Sequence, residues 1–93
     1  MESVIQKEKY CLVCGTTYNI HKHHVFFGTA NRKKSEEYGL TVNLCAYHHN
    51  MSNEGVHFNK HLDYHLKQMA QRYYETHYGT REDFRRDFGK SYL

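Results

Sequence analysis

Residues 20–25 read Ile20-His21-Lys22-His23-His24-Val25, and this histidine-rich run lies between two knuckles that contain cysteine. The first knuckle is Cys11-Leu12-Val13-Cys14, and the second is Cys45-Ala46-Tyr47-His48, directly followed by His49. Such a pair of knuckles supplies four ligands at a spacing suited to a closed tetrahedral zinc site. The remaining histidines are too many for that site, and the surplus suggests a second metal ion with a catalytic role.

The structural zinc site follows the pattern Cys-x2-Cys, a gap of 30 residues, then Cys-x2-His. Each pair can grip Zn²⁺ through one tight backbone turn. The predicted ligands are Cys11, Cys14 and Cys45, with either His48 or His49 as the fourth. His48 is favoured because it repeats the two-residue spacing of the first knuckle.

The chain has 93 residues, a length that permits one domain, over 1–93, with only a small core. A domain this small usually needs disulfides, a metal or a partner, and three cysteines cannot pair fully among themselves. A bound metal ion is therefore expected to stabilise the fold. No signal peptide and no long apolar run is visible, so we expect a soluble, intracellular, cytoplasmic protein without a membrane partner.

The position of the basic residues is more informative than the net charge of the chain. Thirteen Lys and Arg against ten Asp and Glu give a formal charge of only +3, which is too mild to indicate a nucleic-acid binder. However, Arg32-Lys33-Lys34 forms a compact basic run close to the histidine-rich centre. A solvated charged face is the plain interpretation of such a run, and phosphate contact is the functional one.

A strand hairpin is predicted around the histidines. Residues 18–27 carry several β-favouring side chains and predict a first strand, and Leu40-Thr41-Val42-Asn43-Leu44 alternates as a second strand would. Residues 28–39 are predicted to connect them as a loop, in which a short helix over 35–38 is an option. The sequence thus predicts a hairpin between the two knuckles.

Two helices are predicted after the second knuckle. An apolar stripe predicts a helix over about 59–77. The stripe consists of Leu62, Leu66, Met69 and Tyr73, and Gly79 is predicted to end the helix. Thr80-Arg81-Glu82-Asp83 resembles a capping box that starts a second helix, which Gly89 ends. The fold class is therefore α+β, with a core over about 10–78 and a helical extension over 80–93.

Several of these residues together resemble the HNH endonucleases. The pattern consists of His23-His24-Val25 after a Cys-x2-Cys, Asn43-Leu44-Cys45 in the middle, and His49 followed by Gly55-Val56-His57. The match covers about residues 10–66, and it is similar in particular to small phage-type members, including recombination-enhancement nucleases. The resemblance implies a ββα-metal finger, in which a hairpin with paired histidines and a helix with the last histidines hold one divalent ion.

The resemblance also implies a role for individual residues. His23, His49 and His57 would bind the catalytic ion, which would be Mg²⁺, Mn²⁺, Ni²⁺ or Zn²⁺. His24 would be the general base that activates water, and Asn43 would hold the loop carrying that base.

The function implied is metal-dependent nicking or cleavage of DNA with weak sequence preference, in which Arg32, Lys33 and Lys34 grip phosphates. A phage-encoded protein in a bacterial host, with a recombination or phage protein as partner, is the implied setting. The alternative is a non-catalytic zinc-stapled DNA-binding or protein-interaction module with a degenerate HNH motif.

Overall fold

The computed structural model describes residues 2–50 and 55–93. Within these ranges the chain forms a small mixed α+β structure with a two-stranded antiparallel sheet and four helices. In chain order the elements are β1 (Ile20–His24), α1 (Thr29–Tyr38), β2 (Thr41–Cys45), α2 (Ala46–His49), α3 (Lys60–His77) and α4 (Arg81–Phe88). No helix in these ranges has the length and apolarity needed to cross a lipid bilayer.

The predicted hairpin is confirmed, but its first strand is shorter than predicted. β1 pairs with β2 in a regular register that sets His23 opposite Val42 and Lys22 opposite Asn43. Asn19 has a φ of 50°, a left-handed conformation that ends the extended backbone before Ile20. Beyond His24, the main chain of Phe26 bonds to the Ser35 hydroxyl instead of continuing the ladder.

The connection predicted as a loop is the ten-residue helix α1. It has no apolar stripe, since Ser35 is its only buried residue, so hydrophobic periodicity could not reveal it. Its Arg, Lys and Glu side chains nevertheless favour helix intrinsically. Gly39 ends it at φ 69°, and a Cβ there would lie 2.6 Å from the carbonyl oxygen of Glu2.

Both predicted C-terminal helices are confirmed, and so are the capping box and the Gly89 end of the second. The Asn59 side chain accepts hydrogen bonds from the first turn of α3. Thr80 and Asp83 exchange both capping-box bonds at the start of α4. Gly89 caps the end of α4 in the left-handed region, whereas α3 ends at His77, two residues before Gly79.

The hydrophobic core is largely aromatic. Phe26, which follows β1, lies 5.2 Å from Phe84 and 4.6 Å from Phe88 between ring centroids, and both phenylalanines belong to α4. α3 contributes the buried residues Leu66, Ala70, Gln71 and Tyr74. The buried stripe of α3 therefore passes through Tyr74, and the predicted Tyr73 is only half-buried. This core anchors the hairpin end that carries His23 and His24.

Candidate metal centres

Cys11, Cys14, Cys45 and His48 form one group, called here the cysteine cluster, whose ligand atoms all lie within 4.8 Å of one another. The sulfurs of Cys14 and Cys45 are 3.8 Å apart. His48 Nδ1 lies 3.3 Å from the Cys45 sulfur and 3.7 Å from the Cys11 sulfur. Tetrahedral zinc with ordinary bond lengths separates two sulfurs by about 3.8 Å and a sulfur from a nitrogen by about 3.5 Å. The cysteine cluster can therefore hold a metal ion such as zinc.

Local backbone structure presents these four ligands. Gly15 N–H donates to the Cys11 carbonyl and closes the first knuckle, and Leu12 N–H donates to Asn43 of β2. Cys45 ends β2 and is the N-cap residue of α2, so one helical turn brings His48 back beside it. The sequence did not reveal α2, because four residues carry no periodicity.

The cysteines are chemically suited to binding metal. All three are free, and the 3.8 Å between the Cys14 and Cys45 sulfurs is well beyond the roughly 2.05 Å of a disulfide. Burial raises the pKa of the Cys11 thiol, but main-chain N–H groups of both knuckles outweigh it and lower the pKa to about 6. Cys11 is thus predisposed to the thiolate form that zinc binds.

His23, His49 and His57 form a second group, called here the histidine cluster, and their ligand nitrogens also lie within 4.8 Å of one another. His49 Nε2 and His57 Nε2 are 3.2 Å apart. Of the two candidates for the fourth ligand of the structural zinc site, His48 lies in the cysteine cluster and His49 lies in the histidine cluster. His57 lies in a turn between α2 and α3 and not on a helix.

His23 gives the clearest sign of an ion at this position. Its side chain is buried, with 2% of its surface exposed, and its Nε2 has no hydrogen-bond partner within the described part of the chain. A buried polar atom without a partner costs about 1–3 kcal/mol, so native structures normally satisfy it. A cation bound by the three imidazoles would satisfy this nitrogen.

The protonation state of the cluster also favours metal. Burial, reinforced by repulsion from the neighbouring imidazoles, lowers the pKa of His23 to about 3 and that of His49 to about 4. Both rings are therefore neutral near pH 7 and offer lone pairs, as metal ligation requires.

His21, to which the sequence analysis gave no role, lies against this site. Its Nδ1 lies 2.9 Å from His49 Nδ1, a hydrogen bond in which one ring donates and the other accepts. That bond holds the far nitrogen of His49 while Nε2 faces His57. Outer partners of this kind orient metal-binding histidines. The signal available in the sequence was the two-residue spacing from His23, which puts both rings on one face of β1.

His24 lies beside the histidine cluster but has a different environment. Its side chain leaves β1 on the face opposite to His23 and contacts Glu36 of α1, with 3.2 Å between His24 Nε2 and Glu36 Oε2. As the last residue of β1, it nevertheless reaches the histidine cleft, a depression of about 220 Å³. The histidine cleft is lined by Lys22, His23, His24, Phe27, Arg32, His49 and His57.

The basic run on α1 is divided, because Arg32 and Lys33 lie beside His24 and Lys34 faces α4. Arg32 lines the histidine cleft, and Arg32 and Lys33 line an adjoining cleft of about 620 Å³ that also contains His24. Lys34 instead points toward α4, with its Nζ 3.8 Å from Asp87 Oδ1. Phosphate contact by Arg32, Lys33 and Lys34 stays a prediction, and the structure places Lys34 apart from the other two.

The side chain of Asn43 contacts the N-terminal segment. Its side-chain amide donates to the Glu8 carbonyl oxygen, and its main-chain N–H donates to Gln6 Oε1. These bonds fasten the N-terminal segment to β2. Asn43 lies opposite Lys22 in the hairpin, and the role that the resemblance implied for it stays a prediction.

The three remaining helical histidines, His61, His65 and His77, are exposed. Comparison of the chain with family models, with curated proteins and with solved structures gave no match.

Proposed function

We propose that this protein is a metal-dependent DNA endonuclease with an HNH-type, ββα-metal active site. The observation that carries the proposal is the buried Nε2 of His23, which has no hydrogen-bond partner among residues 2–50 and 55–93 and lies with His49 and His57 in a three-imidazole group. A structural site would be expected to be closed by four ligands, as the cysteine cluster is. Three ligands at the wall of a cleft leave coordination positions for substrate.

The arrangement of elements supports the same proposal. The β1–β2 hairpin contributes His23 and His24, and the helical segment that follows contributes His49. The cysteine cluster fastens this segment to the hairpin through Cys45 and His48. In this proposal, zinc in the cysteine cluster stabilises the fold, and a second cation in the histidine cluster takes part in catalysis.

In the proposed reaction, a divalent cation such as Mg²⁺, Mn²⁺, Ni²⁺ or Zn²⁺ would neutralise the phosphate and stabilise the leaving 3′ oxygen. His24 accepts a proton from water while the water oxygen bonds to phosphorus and the bond from phosphorus to the 3′ oxygen breaks. Arg32 and Lys33 bind flanking phosphates. Because these contacts read no bases, sequence preference is weak and binding weakens steeply with salt.

A plasmid-nicking assay with each divalent cation tests the proposal. His24→Ala should lower the nicking rate by about 10²–10⁴-fold and leave DNA binding and secondary structure intact. His65→Ala, which alters an exposed histidine of α3, is the matched control and should keep full activity. Absence of nicking by the wild type with every cation would favour the non-catalytic zinc-stapled module instead.

A further inference from the structure

Glu36 of α1 connects two side chains of β1. Its Oε1 lies 2.8 Å from Lys22 Nζ, and its Oε2 lies 3.2 Å from His24 Nε2. The two carboxylate oxygens therefore have separate partners, and the ring of His24 is fixed from the helix side.

Helix α1, which carries Glu36, is hydrogen-bonded to the chain just after β1. The adjacent Ser35 is fully buried, and its hydroxyl accepts from Phe26 N–H and donates to the Phe26 carbonyl. α1 is thereby fastened to the chain just after β1. Because Ser35 is next to Glu36, these bonds place the Glu36 backbone close to the end of β1 that carries His24.

The charge of Glu36 is permanent under ordinary conditions. A hydrogen bond from the Lys22 ammonium is the main cause that lowers the pKa of Glu36 to about 2. An ionised carboxylate only accepts hydrogen bonds, so the His24 nitrogen that faces it must carry the proton. In a neutral ring, Nδ1 is then the nitrogen with the free lone pair.

We propose that Glu36 is a positioning residue that keeps His24 in the Nε2–H tautomer and leaves Nδ1 as the atom that takes the proton from water. This inference rests on the proposed nuclease function. Lys22 has a supporting role, because it neutralises Glu36 and thereby limits its repulsion of DNA phosphates. An exposed ion pair contributes little to stability, so orientation of the ring is the more important effect.

Nitrogen-15 NMR of the histidine rings in the zinc-loaded protein tests the inference without any assay of activity. The wild type should show His24 as the Nε2–H tautomer, and Glu36→Ala should give a mixture of tautomers. Glu37→Gln is the matched control, because Glu37 lines the same 620 Å³ cleft and should leave the His24 signals unchanged. A wild-type His24 protonated at Nδ1 would overturn the inference, whether or not the protein cleaves DNA.

Kinetics provide the second test. Glu36→Ala should lower kcat by about 10- to 100-fold, by analogy with the loss of outer partners at metal sites, while KM stays within about twofold. Glu36→Gln, whose amide oxygen can still accept from Nε2–H, should recover much of that loss. An unchanged kcat, or an effect on KM alone, would overturn the positioning role. Absence of cleavage by the wild type, with the tautomer as predicted, would instead count against the nuclease function only.

Discussion

His48 and His49 are consecutive residues of α2, yet their imidazoles belong to different candidate metal centres, the cysteine cluster and the histidine cluster. Main-chain hydrogen bonds also link α2 to the segment that carries His57. Val56 N–H donates to the His48 carbonyl at 2.7 Å, and His57 N–H donates to the His49 carbonyl at 3.3 Å. Two of the three ligands in the histidine cluster thus depend on the position of α2, which the cysteine cluster holds at Cys45 and His48.

The two centres should therefore bind metal cooperatively. Cys14→Ser, which weakens the cysteine cluster, should lower the affinity of the histidine cluster for Zn²⁺ by about 5- to 150-fold, the usual range of coupling between sites. Competition with a chelating indicator measures this affinity, and circular dichroism verifies that the variant is folded.

Thr17→Ala, a change at an exposed residue of the same loop, is the control and should leave both affinities unchanged. Coupling of binding free energies is reciprocal, so His23→Asn, which removes a ligand of the histidine cluster, should lower the affinity of the cysteine cluster for Zn²⁺. Equal affinity of the histidine cluster in folded Cys14→Ser and in the wild type would show that the centres are independent.

The titration of His23 gives a prediction about pH. Its pKa of about 3 in the folded protein is far below the 6.5 of an unfolded histidine, so an NMR titration of its ring should show no protonation near pH 6. Between pH 6.5 and 3 the unfolded chain binds a proton that the folded chain excludes. The free energy of unfolding should therefore fall as the pH is lowered through this window.

His23→Asn isolates this contribution, because the other acid-sensitive groups, including the cysteine cluster, remain in both proteins. Urea unfolding at several pH values should show a steeper loss of stability in the wild type than in the variant. Each unit of pKa difference corresponds to about 1.4 kcal/mol. Parallel pH profiles for the two proteins would be inconsistent with a depressed pKa of His23.

The division of the basic run predicts unequal effects on DNA binding. Arg32→Ala should weaken binding and reduce the slope of log affinity against log salt by about one, because one phosphate contact is lost. Lys34→Ala, at the residue paired with Asp87, should change the slope little. Fluorescence anisotropy with a labelled duplex at several salt concentrations measures both, and equal slopes for the two variants would refute this assignment.

The aromatic core predicts a large effect on stability. Phe84 is fully buried and lies 5.2–5.3 Å from Phe26 and Tyr74 between ring centroids. Phe84→Ala should reduce the free energy of unfolding by about 3–5 kcal/mol, because it leaves a cavity between α4 and the hairpin end.

Phe58→Ala, which removes a ring that is 64% exposed, should change the free energy of unfolding by less than about 0.5 kcal/mol. Urea unfolding at a fixed zinc concentration compares the two variants, since bound metal itself adds to stability. A cost at Phe84 as small as that at Phe58 would mean that α4 is not part of the core.

Residue patterns predicted the elements that have a strong local signal. Strand β2, helix α3 and the capping box at Thr80 were each predicted from neighbouring residues, and each is present in the structure, although β2 is buried on both faces. α1 was missed because its stability comes from propensity, from Gly39 and from the buried Ser35 contact to Phe26. None of these features produces a periodic pattern of apolar residues in the sequence.

The ligand sets illustrate the same limit. Spacing indicated the cysteine cluster, because ligands three residues apart within a knuckle are close in space whatever the rest of the chain does. The contacts of His21 with His49, of Glu36 with His24 and of Asn43 with Glu8 join residues 12 to 35 positions apart. Such contacts are set by the packing of α1, α2 and the N-terminal segment onto the hairpin, which no local pattern encodes.

The number of metal ions bound per chain tests the central claim most directly. Elemental analysis or native mass spectrometry of the wild type equilibrated with Zn²⁺ should find two ions per chain, and His23→Asn should retain one. A single ion in both proteins would contradict the existence of a second centre at His23, His49 and His57, and with it the proposed nuclease site.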